Sequence, residues 1–295
     1  MAVILGADSG ASQINEVVLL NSIANTVTLG DGRVYQKAGV VETTTSNYPN
    51  ARVSILYTGD SFTTSSTQTT PYGLTWDGSH LWVTGGSGDT NTKWSTAGVY
   101  QSVSFTHGSQ DGLSFGIGWD GTNFWVSGYT SNKIYKYNSS GVYQSSYIDI
   151  SSQATSPFAN VWVSGYMWVI GGSGTIYKYN SSGTYQNVSF STADQEIYPR
   201  GIAWDGSNFW VVGNSSIAFK YNSSGVYQNE FFDLRGQIAT GQAYAITHDG
   251  TNFWALDINT DTIFKYTSGV GINELSATAQ TYGAQLMGNV YTRVA

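Results

Sequence analysis

Cysteine is absent from the chain, so neither disulfides nor thiolate metal sites contribute to it. Proline is scarce, with four in 295 residues, and charge is sparse: Asp, Glu, Lys and Arg together make up 11%. No segment approaches the ~20 apolar residues of a membrane helix, and membrane insertion is not expected. The basic residues number 12 against 19 acidic ones, for a net charge of −7. That balance argues against nucleic acid as a partner, which needs clustered Lys and Arg. The opening Met1-Ala2-Val3-Ile4-Leu5-Gly6 has a short apolar run without a basic start, so no secretory signal is expected. His80, His107 and His248 are isolated, spaced for neither a zinc site nor a Ser-His pair. No metal or other cofactor is expected.

What the chain has instead is aromatic side chains, 15% of the total, among turn-forming Gly, Ser, Thr and Asn. This is the profile of an all-β protein, since disordered chains lack such an aromatic load. The ten tryptophans fall into columns of one repeat. Trp76, Trp119, Trp162 and Trp204 form the first column, with His248 in its fifth slot. Trp82, Trp125, Trp168, Trp210 and Trp254 form the second, at steps of 43, 43, 42 and 44 residues. Trp94 stands in a third column, otherwise Tyr137, Tyr179, Tyr221 and Tyr266. A fourth holds Lys93, Lys136, Lys178, Lys220 and Lys265, whose stems are expected to lie over neighbouring aromatics.

Each repeat reads as four short β-rich runs. Asp120-Gly121 joins the first two and Asn138-Ser-Ser-Gly141 the last two, both hairpin signals because these residues accept positive φ. Four antiparallel strands per ~43 residues is the unit of a propeller blade. The sequence therefore predicts an all-β, five-bladed β-propeller of four-stranded antiparallel blades spanning about residues 52–268. Its last repeat lacks an outer strand. The upstream run Val53 to Phe62 is the expected replacement, because Phe62 precedes Trp76 by 14 residues, as Phe105 precedes Trp119. The ring would thus close by an N-terminal strand, which removes a free sheet edge. Residues 1–51, with runs Val17 to Leu20, Thr26 to Leu29 and Val34 to Thr43, are expected to form a small β-rich N-terminal module. Residues 269–295 are read as a C-terminal extension packing with it.

The hairpin turns are nearly identical from repeat to repeat, as turn geometry demands. The connections between repeats, such as Thr106-His-Gly-Ser-Gln-Asp-Gly112, vary in sequence, and binding is expected on their face. There the column Tyr72, Phe115, Phe158, Arg200 and Tyr244 opens each innermost strand. These five are the candidate ligand-binding residues, one per blade, whose rings could stack on sugar faces. Wedging between blades is the competing and weightier reading, because buried aromatics usually serve packing. No catalytic residue is assigned: a glycosidase would need two carboxyls ~5–10 Å apart near the axis, and the innermost strands open without an acid. The Asp77, Asp120, Asp205 and Asp249 column falls at the opposite turns. Asp257-Ile-Asn-Thr-Asp261 lacks the glycine and closing Glu of a calcium loop and reads as a polar turn.

The strings Trp204-Asp-Gly-Ser-Asn-Phe-Trp-Val-Val-Gly213 and Ile176-Tyr-Lys-Tyr-Asn-Ser-Ser-Gly183 resemble propeller repeats of bacterial surface proteins and tailed-bacteriophage virion proteins. The stretch from Gly32 to Pro49 is similar to segments preceding such repeats in phage tail and structural proteins. The resemblance implies a non-enzymatic virion protein, assembled in the bacterial host cytoplasm and most like a tail fibre or receptor-binding protein. It further implies that residues 1–51 engage other virion proteins, that the propeller displays loops to a host surface glycan, and that a homo-oligomer forms. A purely structural capsid decoration or tail adaptor is one alternative; a bacterial lectin or adhesin is the other.

Overall fold

Each repeat folds as hairpins because its turns are chemically prescribed. In the computed structural model, the Asp120 carboxylate accepts the backbone N–H groups of Thr122 and Asn123 at 2.8 and 2.7 Å. Its second oxygen accepts the indole N–H of Trp125 at 2.7 Å. One carboxylate thus closes a turn and anchors a core tryptophan. Asp77–Trp82, Asp205–Trp210 and Asp249–Trp254 repeat the arrangement at 2.7, 2.7 and 2.8 Å. Gly121 follows with φ +95°, a conformation natural to glycine. At the third turn Asn138 accepts the N–H groups of Ser140 and Val142 at 3.0 and 2.9 Å, an arrangement that Asn180 and Asn222 repeat.

The structure describes residues 55–85, 88–238 and 242–268, with the backbone of strands Val3–Leu5, Val17–Leu20, Thr26–Thr28, Val34–Glu42 and Met287–Arg293. Blade 1 comprises Pro71–Trp76, Leu81–Gly85, Thr90–Trp94 and Tyr100–Thr106. Blade 2 comprises Ser114–Trp119, Asn123–Gly128, Lys133–Asn138 and Tyr143–Asp149. Blade 3 comprises Ala159–Val163, Tyr166–Ile170, Thr175–Asn180 and Tyr185–Ser191. Blade 4 comprises Pro199–Trp204, Asn208–Gly213, Ile217–Asn222 and Tyr227–Asp233. Blade 5 takes three strands from its own repeat, Ala243–His248, Asn252–Asp257 and Thr262–Ser268, and its outer strand, Ile55–Thr63, from before the first repeat. The register Ile263↔Phe62 matches Asn91↔Phe105 and Ile176↔Phe190, so Phe62 occupies the predicted outer-strand slot. The chain is a five-bladed β-propeller closed by an N-terminal strand. Outside it, an antiparallel sheet has the order Val3–Leu5, Val17–Leu20, Met287–Arg293, Val34–Glu42, Thr26–Thr28.

The core is five seams between adjacent blades, and each takes a second-column tryptophan. Trp82 of blade 1 meets Phe124 of blade 2 at 4.6 Å between centroids, and Trp168 meets Phe209 at 4.9 Å. Trp254 packs with Leu74, Leu81 and Val83 of blade 1, closing the circle. The lysine column lies over these rings as expected, with each ammonium 5.4–5.7 Å from its indole.

A second tie between blades runs through the connections. Each opens with the same turn, in which a backbone N–H bonds the carbonyl four residues back: Gln68 to Thr64, Asp111 to His107, Ala154 to Ile150, Glu196 to Thr192, Ile238 to Leu234. Gln110, Gln153, Gln195 and Gln237 in these turns accept the buried Tyr137, Tyr179, Tyr221 and Tyr266 hydroxyls at 2.8, 3.1, 3.2 and 3.4 Å. In blade 1, Trp94 donates to Thr92 at 2.9 Å, and Thr67 stands where the glutamine would be. Although their sequences vary, the connections share one geometry in their first halves, and in four of the five that geometry satisfies a buried phenol.

His107 lies in one such turn, 1% exposed, with Nδ1 3.1 Å from the Asn91 amide. Burial lowers its pKa to about 4, against the opposing charges of Asp89 and Asp111. The unfolded chain takes up this proton near 6.5, whereas the folded protein resists it until about 4. The stability is thus complete above pH 6.5 and lost as the pH falls towards 4. Urea titrations should show wild type losing about 3 kcal/mol more than H107Q between pH 7 and 4. Equal losses would show that His107 carries none of the acid sensitivity.

Close approach at the axis provides a second test. A methyl group on Gly73 would lie 2.6 Å from both the Phe115 carbonyl oxygen and Thr84, whereas Gly112 has nothing within 4 Å. G73A is expected to cost about 1–3 kcal/mol in denaturant unfolding, and G112A less than about 0.5 kcal/mol. Comparable effects would contradict the crowding of the inner strands.

Candidate functional site

The innermost strand of four blades carries a bulge at the same place. Pairing skips from Pro71 to Gly73, from Ser114 to Gly116, from Pro199 to Gly201 and from Ala243 to Ala245. The skipped residues are Tyr72, Phe115, Arg200 and Tyr244, four of the five candidates. An extra residue leaves the ladder and re-aims its side chain, here away from the blade. Phe158 immediately precedes its strand, held by its N–H on the Ile170 carbonyl at 3.0 Å. The small residues that follow let the strands crowd: a Cβ on Gly116 would fall 2.7 Å from the Phe158 carbonyl oxygen, and one on Gly201 2.7 Å from the Ala245 Cα.

The five candidate side chains consequently converge on the axis at the face of the connections. Tyr72 meets Phe115 edge-on at 4.4 Å and Tyr244 at 5.6 Å. Phe115 meets Phe158 at 5.5 Å and reaches across to Tyr244 at 6.1 Å. The Arg200 guanidinium completes the circuit, 4.0 Å from the Phe158 centroid and 5.4 Å from that of Tyr244. All five are half-buried. The one-per-blade expectation is corrected by this geometry: the rings close on one another, giving one asymmetric plug on the axis. Beneath it lies a cavity of ≈ 210 Å³ including its open mouth, with room inside for about one water.

Three residues that sequence reasoning missed belong to this face. Tyr129 touches Phe115 at 4.5 Å and Phe158 at 5.7 Å. Ile197 and Tyr198, just before Pro199-Arg200, are 65% and 58% exposed. They follow Glu196 directly, where the corresponding connection in blade 2 has Gly112-Leu113, and that apolar pair was the available signal.

Polar groups on this face are mostly committed. The buried Asp111 carboxylate accepts the Leu113 and Ser131 N–H groups at 2.9 and 2.8 Å. Glu196 accepts those of Tyr198 and Ser215 at 3.0 and 2.9 Å. Asp257 accepts the Asn259 N–H and the Thr260 hydroxyl, both at 2.9 Å, as a polar turn does. Asn160 donates to the Trp125 carbonyl at 3.0 Å and to Ser127 at 2.9 Å, tying blade 3 to blade 2. The Tyr244 hydroxyl is pushed above the usual tyrosine range by burial, which outweighs the opposite pull of Arg200. Among the described residues no cluster of three or more His, Cys, Asp or Glu could hold a metal ion.

The sequence matches no family model and no curated protein. Among solved structures it is similar to a glutaminyl cyclase from Myxococcus xanthus, with a TM-score of 0.56 and 13% identity over 75% of this chain and 98% of that one. It is also similar to a virginiamycin B lyase from Staphylococcus aureus, with a TM-score of 0.46 and 15% identity over 90% and 93%. A nidogen/laminin complex follows, with a TM-score of 0.47 and 15% identity over 67% and 75%. At such identities the likeness shows the fold alone.

Packing and exposure make separable demands on the face. F115A, which removes a ring touching four others, is expected to lower stability by about 1–3 kcal/mol. Y198A should change it by less than about 0.5 kcal/mol. Chemical denaturation of both variants checks the ordering, and a neutral F115A would mean that the axial rings do not support one another.

Proposed function

We propose that this protein is a non-enzymatic component of a tailed-bacteriophage virion that presents the connection face of its propeller to a host surface glycan. The convergence of Tyr72, Phe115, Phe158, Arg200 and Tyr244 at one half-exposed point is the observation that carries this reading. Aromatic faces complement the apolar face of a sugar ring, and the Tyr72 and Tyr244 hydroxyls and Arg200 supply polar contacts around it. The exposed Ile197 and Tyr198 extend the surface outwards from the axis. One site per propeller makes each contact weak, so tight attachment relies on many copies in one particle. In this reading residues 1–51 join the protein to other virion proteins.

A structural role as a capsid decoration or tail adaptor has its own support. Val99, Val142 and Val226, 57–58% exposed, recur at the opposite turns, and Val103, Tyr147 and Val188 are exposed on outer strands. Such apolar columns suit a protein neighbour.

The two readings part in a cell-binding assay. Labelled full-length protein should bind host cells and lose that binding when surface polysaccharide is stripped. Y198A and Y72A should each weaken it about tenfold, the effect of losing roughly 1.4 kcal/mol of contact. Binding that survives stripping, or no binding by a folded sample, would favour the adaptor reading.

A further inference from the structure

Arg200 is the one member of the axial ring that is not aromatic, and it stands there without a counter-ion among the described residues. It makes no hydrogen bond or ion pair with any described residue, and its Nε is buried with no acceptor. Glu196, the acid nearest in sequence, is committed to the backbone of Tyr198 and Ser215. Asp111 is likewise committed to Leu113 and Ser131. The rings of Phe158 and Tyr244 stabilise the cation but accept none of its in-plane N–H bonds. A fifth aromatic ring would close the plug without leaving a buried donor unmet, and unmet donors are rare in native proteins because they are costly. The cavity beneath the ring has room for about one water on Nε, which leaves the outer N–H groups of the guanidinium without an anion among the described residues.

We infer that the axial ring is a receptor for a carboxylate carried on an acidic, uronic-acid-class sugar, with Arg200 as the anion contact. This deepens the glycan reading above and rests on it. A guanidinium held between ring faces offers its edge, and its planar fork matches a planar carboxylate through two parallel N–H···O bonds. One guanidinium balances one negative charge. Among the described residues no lysine or second arginine joins the ring, which favours a carboxylate over a phosphate dianion. The tyrosine hydroxyls and the exposed Tyr198 then meet the rest of the sugar. A protein of net charge −7 has no general attraction for polyanions, so the selectivity is local.

The test is calorimetric titration of the full chain with tetramers of galacturonate, glucuronate, mannuronate and guluronate, each paired with its carboxyl-reduced neutral form. At least one acidic tetramer should bind about tenfold or more tightly than its neutral twin. R200Q should abolish that preference, and R200K, which keeps the charge but loses the fork, should retain only part of it. Thermal melts of both variants establish that they are folded; should R200Q not fold, the R200K loss carries the test. Equal binding of acidic and neutral forms would overturn the carboxylate while leaving the glycan reading intact. So would an undiminished preference in folded R200Q. Binding of no tetramer would also overturn the carboxylate, and the cell-stripping assay would then judge the glycan reading by itself.

Discussion

The close approach of five innermost strands around one axis is the constraint from which the rest of the molecule follows. Strands can crowd there only where the residue after the bulge is glycine or alanine, because a larger side chain at Gly73, Gly116 or Gly201 would meet the neighbouring backbone. In four blades the preceding residue leaves the ladder at a bulge, and with Phe158, which precedes its strand, five residues share the axis. The seams farther out answer the same geometry. As the blades splay from the centre, the gaps are filled by large aromatic groups, the tryptophans of the second strands and then the buried tyrosines of the third. Most polar atoms of those rings are given a partner: four of the five second-column indoles by Asp77, Asp120, Asp205 and Asp249, with Val163 standing where the fifth Asp would be, and four phenols by glutamines of the connections.

The fold was legible because repetition multiplies a weak signal. A single Asp-Gly turn or a single tryptophan is ambiguous, but four Asp-Gly turns and five second-column tryptophans at one period determine strand number, blade number and the missing outer strand. The Phe62 spacing even located the strand that closes the ring. What did not follow from the sequence was the third dimension of the axis. The column Tyr72, Phe115, Phe158, Arg200, Tyr244 was visible as a column. Whether its members stand apart, one to a blade, or meet depends on bulges that no residue type announces. The connections misled for a related reason. Their sequences differ, yet the recurring glutamine sits 26 to 29 residues from the tyrosine it serves, a pairing that appears only when the blades are assembled.

The molecule divides its labour between two faces. Turns on one face repeat because they build the blade, and their side chains are spent on their own backbone. The face of the connections holds the departures from the repeat: an arginine in an aromatic column, an exposed Ile197-Tyr198 pair, and Asn160 in a column otherwise occupied by Leu74, Ile117, Ile202 and Ile246. Symmetry supplies the rigid frame, and departures from it supply a single, asymmetric cluster on the axis. A likeness in fold at 13–15% identity says nothing of what this face takes, since one frame hosts many functions.

Hydrogen–deuterium exchange with and without purified host surface polysaccharide tests the central claim most directly. The account predicts ligand-dependent protection in the strand entries 71–73, 114–116, 158–160, 197–201 and 243–245, with the opposite turns at 138–141 and 222–225 unchanged. Protection confined to those turns, or to no segment of a ligand-bound sample, would contradict an axial site.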